Sequence, residues 1–136
     1  MQVRDLMTPN PVTITPEDTL EEAMAQMVSH GIRAIPVQEG EELVGILTDR
    51  DLKMALGPDA RHMDLDAVDP RQLEGSVDWF MTRGVETVDF DTPIAAATEK
   101  LVALRVGALP VVDGTDALVG ILSVTDVLRE AAKRFA

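Results

Sequence analysis

The chain has 136 residues, 46% apolar and 3% aromatic, with 12 Lys and Arg against 24 Asp and Glu and a formal net charge of −12. That length suits one domain-sized object with one sound core, because two independent cores would each be small for their surface. The acidity argues against a nucleic-acid partner, which needs clustered Lys and Arg, and the absence of cysteine excludes disulfides and thiolate chemistry.

No stretch approaches the roughly 20 apolar residues of a membrane span. Met1-Gln2-Val3-Arg4-Asp5 lacks a basic-then-apolar signal, so a cytoplasmic protein with no membrane partner is expected. The segment up to Met7-Thr8 reads as a short lead helix and Val12-Thr13-Ile14 as a first strand. Leu20, Ala23, Met24, Met27 and Val28 then form one apolar stripe at helical spacing. Asp18, with Glu21 three residues later, resembles a capping box for that helix. Ala34-Ile35-Pro36-Val37 is a second strand, its proline suggesting a strand end or edge. Glu39-Gly40-Glu41-Glu42 is a polar turn. The nearly unbroken apolar run Leu43–Leu47 predicts a strand buried on both faces, and a helix begins at Thr48.

The segment Gly57 to Ser76 reads as a linker, punctuated by Gly57-Pro58, Asp69-Pro70 and Gly75, with one helical turn near Arg71 to Glu74. After it the pattern returns. A second lead ends in Met81-Thr82, Glu86-Thr87-Val88 is a first strand, and Thr92-Pro93 places proline at the first position of a helix with Ile94, Ala97, Thr98, Leu101 and Val102 along one face. Ala108-Leu109-Pro110-Val111-Val112, the turn Asp113–Asp116 and the run Leu118–Leu122 follow. The last helix starts at Ser123 and carries the stripe Val124, Val127, Leu128, Ala131, Ala132 and Phe135.

The chain therefore says one thing twice. Met7 and Met81 are 74 positions apart, as are Pro36 and Pro110, and Gly45 and Gly120 are 75 apart through one inserted residue near Ala117. Such a repeat is one supersecondary unit made twice, too small to stand alone. The organisation expected is repeat 1 over 1–56, a linker over 57–76 and repeat 2 over 77–136, two copies pairing face to face, with any site in one copy having a sister in the other.

The repeated string Gly-Ile-Leu-[Thr/Ser]-x-x-Asp carries the chemistry. A hydroxyl at a helix start followed three residues later by a carboxylate satisfies orphan N–H groups as a capping box. The same geometry suits a nucleotide: the helix start offers N–H groups and positive potential to a phosphate, Thr48 or Ser123 adds a donor, and Asp51 or Asp126 accepts from a ribose diol. The preceding glycine leaves room for a ligand to approach the backbone.

With these marks in place, the chain resembles a tandem pair of CBS domains, the Bateman module. The resemblance rests on Val3-x-Asp5-Leu6-Met7-Thr8 and Val77-Asp78-Trp79-Phe80-Met81-Thr82, on the two x-Pro-Val strands and on the two Gly-x-x-[Thr/Ser]-x-x-Asp ends, over about residues 3–56 and 77–132. It implies an α/β (α+β) fold of two β-α-β-β-α repeats packed with pseudo-two-fold symmetry, clefts between the copies, and a homodimer. It also implies an adenosine-bearing ligand: AMP, ADP, ATP, S-adenosylmethionine or NAD, with Mg as a companion to phosphate. By resemblance, Thr48 and Ser123 are the phosphate-side hydroxyls and Asp51 and Asp126 the ribose carboxylates. Ala34, Ile35 and Pro36, with Ala108, Leu109 and Pro110, flank the adenine edge through backbone groups, and Ile14 and Val88 pack on the base. Arg33 matches a position that reaches phosphate, whereas its counterpart Gly107 cannot. With Arg50 also near Thr48, the two clefts are expected to be unequal. The first repeat and linker look most like stand-alone pairs of the acetoin-utilisation type.

No other constellation competes. His30 and His62 lack paired ligands at metal spacing, so no metal site is expected. Asp64, Asp66 and Asp69 lack the glycine and closing glutamate of an EF-hand loop, Trp79 suits packing between copies or in a dimer, and no nucleophile or Walker motif is present. The function expected is regulatory ligand binding without catalysis. The alternative is an assembly module that dimerises or docks to an enzyme or transporter.

Overall fold

The computed structural model describes residues 1–57 and 70–136; His62 and the Asp64, Asp66, Asp69 cluster lie outside the described residues. The elements in chain order are α1 (Val3–Leu6), β1 (Thr8–Pro9), α2 (Leu20–His30), β2 (Ala34–Glu39), β3 (Glu42–Thr48), α3 (Asp49–Leu56), α4 (Pro70–Leu73), a 3-10 turn (Val77–Trp79), β4 (Val88–Asp89), α5 (Ile94–Leu104), β5 (Ala108–Val112), β6 (Leu118–Ser123) and α6 (Val124–Phe135). This is a mixed α/β protein, and its second half repeats the element order of its first. Among the described residues, no helix is long and apolar enough to cross a membrane.

The chain forms two compact units, one of Val12–Val85 and one of Met1–Pro11 with Glu86–Ala136. In the first, β2 and β3 pair antiparallel, with Ala34 opposite Thr48 and Pro36 opposite Ile46. Ile14 bridges to Val37 on one side and Thr82 to Ile46 on the other. The α2 stripe drives the packing: Leu20, Ala23, Met24 and Met27 join Ile14, Ile35, Val37, Leu47, Leu52, Val77 and Met81 in one core. Val28, read as part of that stripe, is exposed. α2 is capped by Thr19, whose hydroxyl accepts from Glu22 N–H at 3.1 Å, and not by Asp18. The Asp18 carboxylate is taken by Thr15 N–H at 2.8 Å, closing the preceding turn.

In the second unit the sheet order is β1-β6-β5-β4. β5 and β6 are antiparallel with Ala108 opposite Ser123, β4 runs parallel to β5, and β1 is antiparallel to β6 with Thr8 opposite Ile121. Val3, Val88, Ala97, Leu101, Leu109, Val111 and Leu122 form its core. α5 starts at Ile94 with Pro93 as the flanking extended residue rather than the first helical one. α6 buries none of its residues fully. Of its stripe, Val127 packs on the core, while Leu128 is 61% and Phe135 86% exposed.

Three further expectations are corrected. The prolines are not at strand ends but inside β2 and β5, although the edge alternative holds for Pro36, since β2 pairs only with β3 in its two-stranded sheet. Pro36 is tolerated because its carbonyl accepts from Ile14 N–H at 3.2 Å; N and O of one strand residue face the same side, so the missing N–H costs β2–β3 no bond. The runs Leu43–Leu47 and Leu118–Leu122 are not buried throughout: Leu43, Val44, Leu118 and Val119 are half-buried where the strands emerge from exposed turns. And among the described residues there are two cores, one per unit. Each gains apolar residues from a lead that the chain order places with the other repeat: Val3 of the first lead lies among β4–β6, and Val77 and Met81 of the second lie among α2, β2 and β3.

Candidate functional site

Thr48 ends β3 in an extended conformation and caps α3. Asp51 N–H donates to Thr48 Oγ1 at 3.2 Å. In return Asp51 Oδ2 accepts from Thr48 N–H at 2.9 Å and from the Thr48 hydroxyl at 3.0 Å. Asp51 Oδ1 accepts from the Thr82 hydroxyl at 2.9 Å. The neighbouring N–H of Asp49 donates to the Arg33 carbonyl at 3.0 Å, which holds the start of β2 against the start of α3. The Arg33 and Arg50 side chains are exposed.

The other unit repeats this around Ser123. Asp126 N–H donates to Ser123 Oγ at 3.1 Å and Ser123 N–H to Asp126 Oδ2 at 2.8 Å. Val124 N–H donates to the Gly107 carbonyl at 2.9 Å. Among the described residues no hydrogen bond reaches Asp126 Oδ1. The capping-box reading thus holds at both ends, and in each unit the structure brings together the residues singled out by sequence: Arg33, Ala34, Thr48 and Asp51 in one, Gly107, Ala108, Ser123 and Asp126 in the other. Ile35, Leu109, Ile14 and Val88 turn their side chains into the cores. Each half-buried carboxylate sits beside a helix start, where N–H groups and the helix dipole favour an anion. The arrangement can accept from a diol and donate to a charged oxygen within one patch.

The repeated glycines serve another purpose than the one expected. A Cβ on Gly45 would lie 2.6 Å from Met81 Sδ and 3.0 Å from the Thr82 carbonyl; on Gly120 it would lie 2.5 Å from Met7 Sδ and 3.0 Å from the Thr8 carbonyl. The room left by the missing side chains is filled by the lead-segment thioethers, not reserved for a ligand. Met7, Met81 and Thr82 are the residues that site reasoning missed as participants. Their signal was present in the repeated Met-Thr pair.

Elsewhere, His30 ends α2 with Nδ1 3.0 Å from the Gln26 carbonyl, and Trp79 is 79% exposed. Among the described residues no group of three or more His, Cys, Asp or Glu is placed to hold a metal.

The CBS domain family model matches residues 3–58 and 75–133. An inosine-5'-monophosphate dehydrogenase of Methanocaldococcus jannaschii is 32% identical over 119 residues, 87% of this chain; the chain spans 21% of that relative's length. Three solved structures are similar over nearly the whole chain. The CBS domain pair of protein MJ0100 in complex with 5'-methylthioadenosine and S-adenosyl-L-methionine has a TM-score of 0.81 at 26% identity, covering 98% of each chain. CBSX2 in complex with AMP has a TM-score of 0.79 at 28% identity, covering 99% of this chain and 98% of its own. A putative acetoin utilization protein from Vibrio cholerae has a TM-score of 0.80 at 26% identity, covering 99% and 93%.

Proposed function

The chain belongs to the CBS domain family, and from that premise we propose that it is a regulatory module whose two acid-and-hydroxyl patches bind an adenosine-bearing ligand and report energy or metabolite state. The observation that carries this is the register within each unit. The hydroxyl cap lies opposite the alanine that opens the x-Pro-Val strand, Thr48 to Ala34 and Ser123 to Ala108. Phosphate-side donor, ribose-side acid and base-side strand edge therefore share one patch, twice. Structural relatives in complex with AMP and with S-adenosyl-L-methionine support the ligand class.

On this reading Thr48 and Ser123 face phosphate or its equivalent, and Asp51 and Asp126 hold the ribose. Ala34–Pro36 and Ala108–Pro110 meet the base edge through backbone, with Ile14 and Val88 backing those strands from the core. Arg33 and Arg50 make the Thr48 patch the more cationic, so ADP or ATP, with Mg, is favoured there and a less charged ligand at Ser123. No catalytic step belongs to the proposal, and the site of action is the cytoplasm.

The test is a thermal-shift panel of AMP, ADP, ATP, S-adenosylmethionine and NAD, with and without Mg. A ligand at 100 times its dissociation constant adds roughly 2.7 kcal/mol to stability, and Asp51→Ala with Asp126→Ala removes the shift. A flat panel, or a double variant that binds as well as the parent, rejects the proposal. One observation favours a second role alongside the first. Thr98, Leu101, Val102, Val124, Val127 and Leu128 line an apolar groove between α5 and α6, and Val102 and Leu128 are exposed there. Such a face suits homodimerisation or docking on an enzyme or transporter. If it mediates self-association, Leu128→Asp yields a monomer by light scattering, while an unchanged mass excludes that face.

A further inference from the structure

The two patches share sequence and register, yet their carboxylates are not equally available. An ionised carboxylate has about four acceptor positions. Asp51 has three filled: Oδ2 by Thr48 N–H and the Thr48 hydroxyl, Oδ1 by the Thr82 hydroxyl. Asp126 has one filled, by Ser123 N–H on Oδ2. A ribose presents two adjacent hydroxyls as donors. Asp126 can accept both at once. Asp51 can accept one, and must release Thr82 or Thr48 to take the second.

Thr82 belongs to the second lead, seated against β3 by the bridge to Ile46, whose N–H donates to the Thr82 carbonyl at 3.0 Å and whose carbonyl accepts from Thr82 N–H at 2.9 Å. Met81 packing on Gly45 fixes the neighbouring residue. The hydroxyl is thus held at the carboxylate by two main-chain bonds. Its counterpart Thr8 is carried the same way by β1 on β6, but among the described residues no bond joins its hydroxyl to Asp126.

We propose that Thr82 is a specificity-determining residue that occupies an acceptor position of Asp51, so that the Asp126 patch first takes both hydroxyls of a low-charge diol ligand such as AMP, and the Asp51 patch takes both only when the Thr82 or the Thr48 hydroxyl is displaced. This rests on the adenosyl-binding reading above. Thr82 acts through Asp51, so it is a positioning residue, and the two patches differ by occupancy of an acceptor rather than by the identity of the acid. Displacement of the Thr82 hydroxyl links ligand at Asp51 to the seating of the second lead.

The test is calorimetric titration of AMP into the full chain and its variants, each checked for folding by circular dichroism. The expected wild-type result is one tight step, lost in Asp126→Ala and kept in Asp51→Ala, and one weaker step. Thr82→Val removes the hydroxyl at similar shape and should tighten the weaker step about tenfold while leaving the tight step alone. Thr82→Ser should restore the wild-type pattern and Thr8→Val should change neither step. Equal steps in the wild type, or a Thr82→Val titration identical to the parent, overturn the inference while leaving adenosyl binding standing. No heat from AMP in the parent or any variant, with the thermal panel also flat, overturns both. If Thr82→Val does not fold, Thr82→Ala carries the same expectation.

Discussion

Asp113 shows how much of a turn one carboxylate can organise. Its Oδ1 accepts from the Thr115 hydroxyl at 2.7 Å, from Thr115 N–H at 2.8 Å and from Ala117 N–H at 3.2 Å. These bonds, the Thr115 hydroxyl foremost, hold its carboxyl below the ordinary aspartate value despite an opposing contribution from desolvation. A depressed folded-state pKa means that the stabilisation is present above the unfolded value of about 3.9 and is lost as pH falls through the folded value. A carbon-13 titration of the Asp113 carboxyl should give a midpoint below that of a free aspartate, and Thr115→Val should move it back up. An unmoved midpoint in Thr115→Val would mean that the hydroxyl is not the cause.

At the scale of the element, the starts of α3 and α6 combine structure with function. Thr48→Ala and Ser123→Ala each remove the acceptor for an N3 amide, and each should cost about 1 kcal/mol in urea unfolding. Asp51→Ala and Asp126→Ala remove the reciprocal half of the same boxes, so their loss of binding has to be read beside their loss of stability. Near-zero costs for both hydroxyl variants would show that the caps contribute little. The helix ends are less symmetric. α2 stops at Gly31 with φ +63°, and α5 stops at Arg105 with φ +55°. The left-handed turn is demanded by the chain path in both copies, and only one copy supplies the residue for which it carries no Cβ penalty.

For the whole molecule, the crossed seating of the two leads matters most. Val3 is fully buried among residues of β4, α5, β5 and β6, although by sequence it opens the first repeat. Val3→Ala should therefore destabilise the unit of residues 86–136 by about 2 kcal/mol. Amide exchange should rise over Val88–Ser123, with Ala34–Thr48 protected as before. A rise confined to residues 12–57 would contradict the assignment of the first lead to that unit. The net charge of −12 sets the electrostatic background. An anionic ligand meets long-range repulsion, so any affinity must come from groups within roughly the 8–10 Å screening distance, the helix starts and, at Thr48, the nearby arginines.

Much of this was legible before folding. The 3.6-residue stripes located α2 and α5, the alternation of apolar runs and turns located β2, β3, β5 and β6, and the repeated hydroxyl-and-acid string marked both helix starts, because these depend on residues near one another in the chain. The exact caps were less legible: Asp18 and Thr19 both carry cap-forming oxygens, and only the turn at Thr15 decided between them. What filled the space beside Gly45 and Gly120, which unit each lead entered, and which carboxylate kept a free oxygen were decided by tertiary structure alone. Met81 lies 36 positions from Gly45, and Thr82 lies 31 from Asp51. Composition and local period carry no information about which distant backbone a short lead will choose, whereas burial of Val3, Val77 and Met81 does.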